Sequence, residues 1–244
     1  MKNNKKNRKK VSHKKHDLRI FLKIMMMAMG IIFSAIFFYA IEKQNTSYQN
    51  YTQISEDYEI SSGWTITSYQ IVDEKFYNGK KIEVFDRYGN SLGFYKSDFL
   101  KQVKIDGFGK VEDIQNSKRY LHYDYNVDDG KTYYWADKPF GAYRNELIPW
   151  TGDKPSVAVN PPLPHGTKIK FVDLGKDAEN NPEWVNEILK TKTFYADDVF
   201  HSYYHGNEKR IDVYVGLQKS KDGGPESLLM RNVTIAIKYP KNLG

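Results

Sequence analysis

The segment SVAVNPPLPHGTKIK, residues 156–170, decides the fold predicted for this chain. Its β-branched run ends at Asn160 and predicts a strand, its three prolines fix a turn, and residues 167–172 predict a second strand. The segments FYADDV at 194–199 and KRIDVYVG at 209–216 also place an acid in or beside an apolar run. Polar side chains at strand ends are often held by a rigid scaffold for function. Asn160, Asp198 and Asp212 are therefore the first candidate site residues.

Residues 131–244 are predicted to form one mainly β unit. Short apolar runs at 131–136, 193–196, 211–215 and 233–237 predict further strands. One helix is predicted, with Asn181 as its N-cap, Pro182 as its first residue and an apolar stripe behind them. Many short strands with a single helix favour a β-barrel.

Residues 64–130 are predicted to form a small β-rich region that precedes this unit. Apolar and polar residues alternate over 64–72, and residues 80–95 read as a hairpin with its turn at 86–90. Ser97 is predicted to cap one or two helical turns. Residues 103–111 and 119–125 are predicted to be strands.

The N-terminal part of the chain predicts a membrane anchor. Residues 24–41 carry no charge, and a stretch from 20 to 41 is long enough to cross a bilayer. Residues 1–19 form a basic tail that is expected to stay cytoplasmic, and residues 42–63 form a polar stalk. A buried core helix would need a polar stripe; a cleaved signal peptide is the alternative. The chain is thus predicted to be a single-pass protein of the cell membrane with an extracytoplasmic C-terminal domain.

The net charge of +7 does not indicate nucleic acid as a partner. Ten of the 37 Lys and Arg residues and one of the 30 acids lie before residue 24, which leaves 27 basic and 29 acidic residues in the remainder. A nucleic-acid domain would carry the basic excess on its folded part. The chain has no cysteine, so disulfides, thiol catalysis and cysteine-based zinc sites are excluded.

Motifs that would hold a cofactor or metal are weak in this sequence. Gly107-Phe-Gly109 lacks the further glycine and the helix of a phosphate-binding loop. His201 and His205 are four residues apart, but no third ligand is placed, so surface or substrate-facing histidines are favoured over a metal site. No cofactor and no metal are predicted.

Read as patterns alone, the acids and tyrosines leave two interpretations open. Asp212 shares a strand face with Arg210, and an exposed ion pair between them is the alternative to a site. The 19 tyrosines could pack a small β fold, with a sugar-binding role kept for those near the acids, namely Tyr195, Tyr203 and Tyr204.

Four segments together resemble the three-aspartate (3D) domain family. They are TYY at 132–134, VAVNPPLPHGTK at 157–168, ADD at 196–198 and GNEKRIDVY at 206–214. The family includes the catalytic domain of membrane-bound lytic transglycosylase A and muralytic proteins of the stationary-phase-survival type from Gram-positive bacteria. The resemblance implies a double-psi β-barrel at 131–244 and cleavage of peptidoglycan glycan strands.

The resemblance also implies roles for individual residues. Asp198 and Asp212 are the expected catalytic residues; the expected substrate-binding residues are Asn160, Thr167, Asp197, Tyr195 and Tyr134. In a lytic transglycosylase the 6-hydroxyl of the muramic residue replaces the leaving sugar, so one acid with a raised pKa can serve as acid and then as base. No second carboxylate is needed to activate water, in contrast to two-carboxylate hydrolases.

This chain departs from the family pattern at two places. Asn160 stands where the family usually has aspartate, and Val199-Phe-His201 replaces a Thr-Gly-Gly run. These departures motivate an alternative, a non-catalytic wall-binding or scaffolding protein on the same barrel. A third interpretation is a β-rich component of a secretion or conjugation complex.

Overall fold

The structure is a computed structural model that describes residues 57–111, 120–127, 131–200, 208–221 and 227–241, together with Met25, Met29, Ile32, Ala35 and Ile36. The predicted tail, most of the predicted anchor and residues 42–56 of the predicted stalk lie outside the described residues. No helix among the described residues is long and apolar enough to cross a membrane.

Eleven strands and two α-helices make up the described residues from 57 onward. The strands are β1 Glu59–Asp73, β2 Lys81–Phe85, β3 Ser91–Lys96, β4 Phe108–Lys110, β5 Tyr120–Tyr123, β6 Tyr133–Ala136, β7 Ser156–Asn160, β8 Lys168–Asp173, β9 Phe194–Val199, β10 Arg210–Leu217 and β11 Leu229–Lys238. The helices are α1 Ser97–Asp106 and α2 Glu183–Thr191, with short 3-10 helices at Glu74–Phe76 and Lys176–Asn180. The prediction of a mainly β fold is confirmed.

Six strands close a mixed β-barrel. Their order is β10-β7-β9-β8-β11-β1, and β1 pairs with β10 to complete the ring. The pairs β1–β10 and β7–β9 are parallel and the other four are antiparallel. Closure leaves these strands without a free edge, which protects them from pairing with another chain.

Alternation along each strand fills the barrel with apolar side chains. Ile211 and Val213 of β10 and Val157 and Val159 of β7 have no exposed surface and belong to one core cluster with residues of the other barrel strands. Burial of such side chains is worth roughly 1.5–3 kcal/mol each. The alternate residues of the same strands face outward, and this outer face carries the candidate site.

Strand β1 belongs to both halves of the structure. Its first part pairs with β10 and β11 inside the barrel, and its last two residues, Val72 and Asp73, pair with Gly109 and Lys110 of β4. Strands β4, β5 and β6 then extend the sheet away from the barrel. Because β1 begins at Glu59, inside the predicted stalk, the barrel strands are not confined to the predicted unit at 131–244.

Local predictions near the helices were partly wrong. Helix α1 extends to Asp106, where a strand from 103 had been predicted, because Phe99, Leu100 and Val103 are buried at helical spacing. Lys96 and Pro182 are the N-cap residues and neither provides a side-chain cap, so the predicted caps at Ser97 and Asn181 are wrong. The hairpin β2–β3 and its turn at 86–90 are confirmed.

Candidate active site

A cavity of about 740 Å³ lies where the outer face of the barrel meets the β4–β6 extension and α1. The barrel contributes Tyr69, Ala158, Asp198, Val199 and Asp212 to its lining; α1, β4 and the segments that follow contribute Asp106, Phe108, His122, Asp124 and Tyr134, and the loop after β6 contributes Phe140, Gly141, Ala142 and Arg144. The cavity therefore combines acids from the barrel with aromatic residues from the extension.

Asp198 and Asp212 lie in one row across three adjacent strands. Ala158 of β7 pairs with Asp198 of β9 on one side and with Asp212 of β10 on the other. Paired residues on neighbouring strands point to the same face, and two strand spacings put the Cα atoms of the two aspartates about 10 Å apart. The small side chain of Ala158 leaves the space between the carboxyl groups open to the cavity.

A β-bulge at Asp197 turns Asp198 toward the cavity. Val157 pairs with Ala196 but Ala158 pairs with Asp198, so Asp197 is the extra residue of β9. Without a bulge, Asp198 would share the inward face of Ala196, which belongs to the barrel core. The extra residue moves Asp198 to the outer face, in keeping with the role of bulges in redirecting side chains.

The carboxylate of Asp198 is held by three donors. Oδ1 accepts hydrogen bonds from the main-chain N–H groups of Ala142 and Val199, both at 2.9 Å. Oδ2 accepts one from the hydroxyl of Tyr69 at 3.2 Å. Burial raises the pKa of Asp198 to about 6 even though these hydrogen bonds oppose the shift, and the neighbouring charge of Asp197 adds to it.

Asp212 lies in the same cavity and has a similar proton affinity. The hydroxyl of Thr67, its register partner on β1, donates to Oδ1 at 2.7 Å. Burial raises the pKa of Asp212 to about 6, with a further contribution from the charge of Asp198, whereas Thr67 and Arg210 lower it. Arg210 donates to the Thr67 hydroxyl at 3.1 Å. Asp212 is thus a cavity residue, and the alternative of an exposed surface ion pair does not describe it.

Asp106 is a third acid of the cavity, which the sequence analysis missed. Burial, with a smaller contribution from the charge of Asp212, raises the pKa of Asp106 to about 7, against a hydrogen bond from Gln102 Nε2 at 2.8 Å. Asp106 is the last residue of α1, where the helix dipole disfavours a negative charge. An acid at the end of a helix, directly before Gly107, was the available signal.

Aromatic rings form a wall of the cavity. His122 stacks on Tyr134 and Phe140, with ring centroids 4.5 and 5.3 Å away, and Phe108 meets its edge at 4.1 Å. Burial lowers the pKa of His122 to about 4 and raises that of Tyr134 to about 12, so both rings are neutral at pH 7. This wall offers flat, uncharged faces of the kind on which sugar rings stack.

The structure brings together some of the predicted site residues. Asp198, Asp212 and Tyr134 line the cavity, whereas Asn160, Thr167, Asp197 and Tyr195 lie outside its lining.

The predicted residues outside the lining have contacts of their own. Asn160 donates from Nδ2 to the carbonyl of Glu208 at 2.7 Å, and the Thr167 hydroxyl donates to the carbonyl of Pro164 at 2.6 Å. Lys168 Nζ lies 6.0 Å from the centroid of the Tyr195 ring. The first two contacts hold the segments at the ends of β7 and β8.

Asp197 faces away from the cavity. Its Oδ2 accepts from the hydroxyl of Ser156 at 3.0 Å, and its Oδ1 lies 3.2 Å from Nε2 of His165. Burial raises the pKa of Asp197, with Ser156 and His165 opposing the shift. These contacts fix the bulge that positions Asp198.

The alternative metal site at His201 and His205 lies outside the described residues, as do Tyr203 and Tyr204. Within the described part of the chain, no cluster of three or more His, Asp or Glu residues could hold a metal ion.

The described chain is similar to crystal structures of lytic transglycosylases at low sequence identity. No family model matches the sequence and no curated protein matches it. Membrane-bound lytic murein transglycosylase from Agrobacterium tumefaciens aligns at 10% identity over 76% of this chain and 77% of its own, with a TM-score of 0.48. MltA from E. coli with bound chitohexaose aligns at 14% identity over 74% and 76% of the two chains, with a TM-score of 0.42. LtgG of Burkholderia pseudomallei aligns at 14% identity over 77% and 78%, with a TM-score of 0.37.

Proposed function

We propose that this chain cleaves the glycan strands of peptidoglycan as a lytic transglycosylase, with Asp198 as the acid. The observation that carries the proposal is the position of Asp198: a half-buried carboxyl group with a raised pKa that lines an open cavity together with aromatic rings. A carboxyl group whose pKa lies near 6 can donate a proton and take one back at neutral pH. The 3D-type segments around Asn160, Asp198 and Asp212 support the same assignment.

One carboxyl group is sufficient for the proposed reaction. Asp198 donates its proton to the glycosidic oxygen as the bond from that oxygen to C1 of the muramic residue breaks. The 6-hydroxyl oxygen of the same residue then bonds to C1, and its proton passes to the Asp198 carboxylate. The products are an anhydromuramic end and a free sugar hydroxyl, and the enzyme returns to its protonated form.

Hydrogen bonds define which oxygen of Asp198 carries the proton. Two main-chain N–H groups occupy Oδ1, so that atom acts as the acceptor in both protonation states. Oδ2 accepts from the Tyr69 hydroxyl, which can donate to a carboxylate or accept from a carboxylic acid. The proton is therefore placed on Oδ2. Burial raises the pKa of Tyr69 well above its usual value, so Tyr69 stays neutral.

Asp212 and Asp106 support this chemistry electrostatically. Their half-buried carboxyl groups line the same cavity, and a negative charge on Asp198 raises the pKa of Asp212. Like charges confined to one site cannot all ionise easily. These two acids therefore favour the protonated form of Asp198, the form that donates to the glycosidic oxygen.

The departure at Asn160 does not remove a charge from the cavity. Asn160 lies outside the cavity lining, and its amide donates to a main-chain carbonyl. This observation favours the enzyme over the non-catalytic alternative. At the second departure, Val199 lines the cavity and its N–H donates to Asp198, a bond that the main chain supplies whatever the side chain.

The proposal extends to the remaining sequence predictions. We infer a barrel of the double-psi type from the 3D-type segments, and a single-pass anchor at 20–41 with an extracytoplasmic catalytic domain from the uncharged run and the basic tail. The substrate class, peptidoglycan strands, lies outside the membrane and agrees with that orientation.

Product analysis tests the proposed activity. The full-length chain is incubated with purified peptidoglycan, and released fragments are analysed by mass spectrometry. We expect anhydromuropeptides from the wild-type chain and from Asp153→Asn, a change of an exposed acid outside the cavity lining, and at least a hundredfold less from Asp198→Asn. Anhydromuropeptides in equal amount from Asp198→Asn would reject the role of Asp198.

The same experiment separates the enzyme from a wall-binding protein. A binding protein would sediment with peptidoglycan and release no fragments, and Asp198→Asn would leave sedimentation unchanged. Wild-type binding without any anhydro product would therefore favour the alternative.

A further inference from the structure

Arg144 occupies a turn position that suits glycine or asparagine. The loop after β6 forms a tight hairpin, with a bridge between Phe140 and Glu146 and hydrogen bonds from Gly141 N to Asn145 O and from Arg144 N to Gly141 O. Arg144 has a φ of 65°, in the left-handed region that residues with a large side chain rarely adopt. The chain therefore carries an arginine where the local conformation disfavours it. Such backbone outliers often lie at functional sites, which suggests a role for the Arg144 side chain.

The side chain of Arg144 lies at the mouth of the cavity. The residue is exposed, it lines the cavity, and its guanidinium carbon is 5.4 Å from the centroid of the Phe140 ring. Its charge lowers the pKa of His122 and of Tyr134, which places it beside the aromatic wall. Stacking on Phe140 holds the planar guanidinium in one orientation and leaves its N–H groups at its edge.

Arg144 is the one cationic side chain among the described residues that line the cavity. Asp124, one of the lining acids, forms an ion pair with Arg87, whose Nη2 lies 2.6 Å from Asp124 Oδ2. The other three lining acids also accept hydrogen bonds. Asp106 accepts from Gln102, and Asp212 accepts from Thr67. Asp198 accepts from Ala142, Val199 and Tyr69. No ion pair of Arg144 with an acid is present among the described residues.

We propose that Arg144 binds a carboxylate of the substrate, so that the cavity prefers glycans that carry acidic groups to neutral glycans of the same length. A guanidinium group pairs with a carboxylate through two parallel N–H···O bonds. Without this cation, an acidic ligand would meet aspartates and no cationic side chain among the described residues of the cavity lining. The inference rests on the proposed function, because it assumes a glycan in this cavity.

The carboxylate can come from two parts of peptidoglycan. A muramic residue without a stem peptide exposes the carboxylate of its lactyl group, whereas an intact stem peptide masks that group as an amide and brings its own carboxylates. Both present the same chemistry to Arg144, and ligands that differ in this respect distinguish them.

Calorimetric titration of the full-length chain tests this inference. All proteins carry Asp198→Asn to prevent cleavage, and the ligands are chitohexaose, a peptide-free muramic-containing hexasaccharide and the same oligosaccharide with stem peptides. Arg144 is compared with Arg144→Asn, which removes the charge and suits the left-handed conformation, and with Arg144→Lys, which keeps the charge without the planar fork.

We expect Arg144→Asn to weaken binding of an acidic glycan about tenfold and to leave chitohexaose binding unchanged. Arg144→Lys should fall between the two, and rising salt should reduce the difference. The thermal midpoint of Arg144→Asn should equal or exceed that of the parent, because the turn is relieved. An effect with the peptide-free ligand alone identifies the lactyl carboxylate; an effect with the peptide-bearing ligand identifies the stem.

An equal effect of Arg144→Asn on the neutral and acidic glycans would overturn the inference, as would no effect on either. Absence of binding to all three glycans overturns it as well. Absence of cleavage by the chain with native Asp198, with the Arg144-dependent preference retained, overturns only the proposed transglycosylase activity.

Discussion

Asp198 accepts two main-chain N–H bonds and one hydroxyl bond, an arrangement that normally lowers the pKa of a carboxyl group. Its pKa nevertheless rises to about 6, since burial of the carboxylate outweighs these donors. The donors and the burial have different roles. The donors fix the direction of the carboxyl group, and the burial keeps a proton on it.

Activity should therefore fall as pH rises through about 6. The reacting form of Asp198 is the protonated one, so kcat/KM is expected to be highest below the pKa and to drop about tenfold per pH unit above it. The profile of anhydro product against pH measures this limb. Because the charge of Asp197 contributes to the raised pKa of Asp198, Asp197→Asn should move the fall in kcat/KM to lower pH. An unchanged pH profile would show that the charge of Asp197 does not affect Asp198.

Asp106 should make the fold less stable at neutral pH than in mild acid. Its folded pKa, about 7, lies above the unfolded value near 3.9, so the folded state binds more protons between these values and stability falls as pH rises through that window. Asp106→Asn keeps the shape without the charge. It is expected to raise the free energy of unfolding at pH 8 by an amount of the order of 2 kcal/mol and to have little effect at pH 4.

Urea denaturation at the two pH values measures this difference. Asp86→Asn is the matched control, because hydrogen bonds from Asn90 and Tyr88 lower the pKa of Asp86, and the stability that it contributes is lost as pH falls. The two variants should show opposite pH dependence. A destabilised Asp106→Asn at pH 8 would contradict the assignment.

At this scale the sequence singled out two acids of the cavity, Asp198 and Asp212, and did not single out Asp106 or Asp124. Asp212 lies between buried Ile211 and Val213, so period two alone put it on the outer face. Asp198 came from family resemblance. Asp106 and Tyr69 meet the other site residues only in the folded chain. The helix-end position of Asp106 before Gly107 is a local signal, but it does not show which distant strands the carboxyl group approaches.

The hairpin after β6 is the element that completes the Asp198 environment. Gly141 lies against the main-chain carbonyl of Asp197, and a Cβ atom at this position would overlap that oxygen. The next residue, Ala142, donates to Asp198. A missing side chain therefore lets the hairpin approach the bulged strand closely enough to make this bond.

Gly141→Ala should push the hairpin away from β9. We expect at least a tenfold loss of product formation and destabilisation of about 1–3 kcal/mol, because the Ala142 bond is lost with the close approach. Gly89→Ala serves as the control: Gly89 has a φ of 84° and open space around it in the β2–β3 turn, so strain is introduced at a residue outside the cavity lining. That control should lose stability but keep its rate; equal loss of rate in both variants would contradict the role of the hairpin.

The bulge at Asp197 shows why the face of Asp198 was not predictable from the pattern. Strict alternation over 194–199 would place Ala196 and Asp198 on one face. The extra residue is visible only in the pairing with β7, where the partners advance by one residue on one strand and by two on the other. Bulges depend on the partner strand, and the sequence of a single strand does not specify it.

Strand β1 links the barrel to the extension and makes the whole described region from 57 onward one structural unit. Its burial pattern shows this continuity, since Trp64 and Ile66 belong to the barrel core and Val72 to the core of the extension. Alternation at 64–72 predicted a strand there. Its barrel partners, β10 and β11, are separated from it by more than a hundred residues, so the sequence did not show that it closes the barrel.

A chain that starts at Thr65 should be markedly less stable than one that starts at Asp57. The shorter chain lacks Trp64, which is 3% exposed in the barrel core, and the pairs of Glu59, Ile60 and Ser61 with β11. We expect a loss of about 3–5 kcal/mol for the buried tryptophan alone. Denaturant unfolding of both chains measures it, and equal midpoints would show that the predicted boundary at residue 64 marks the start of the fold.

The position of β1 also sets the order in which the chain can fold. The hydrogen bond from Lys238 to Asp57 spans 181 residues, and β1 cannot find β10 or β11 until nearly all of the polypeptide has been made. Pairing between strands so distant in sequence slows folding, and β1 lacks its barrel neighbours until they have been made. During synthesis, residues 59–73 therefore emerge long before the two strands that flank them in the barrel.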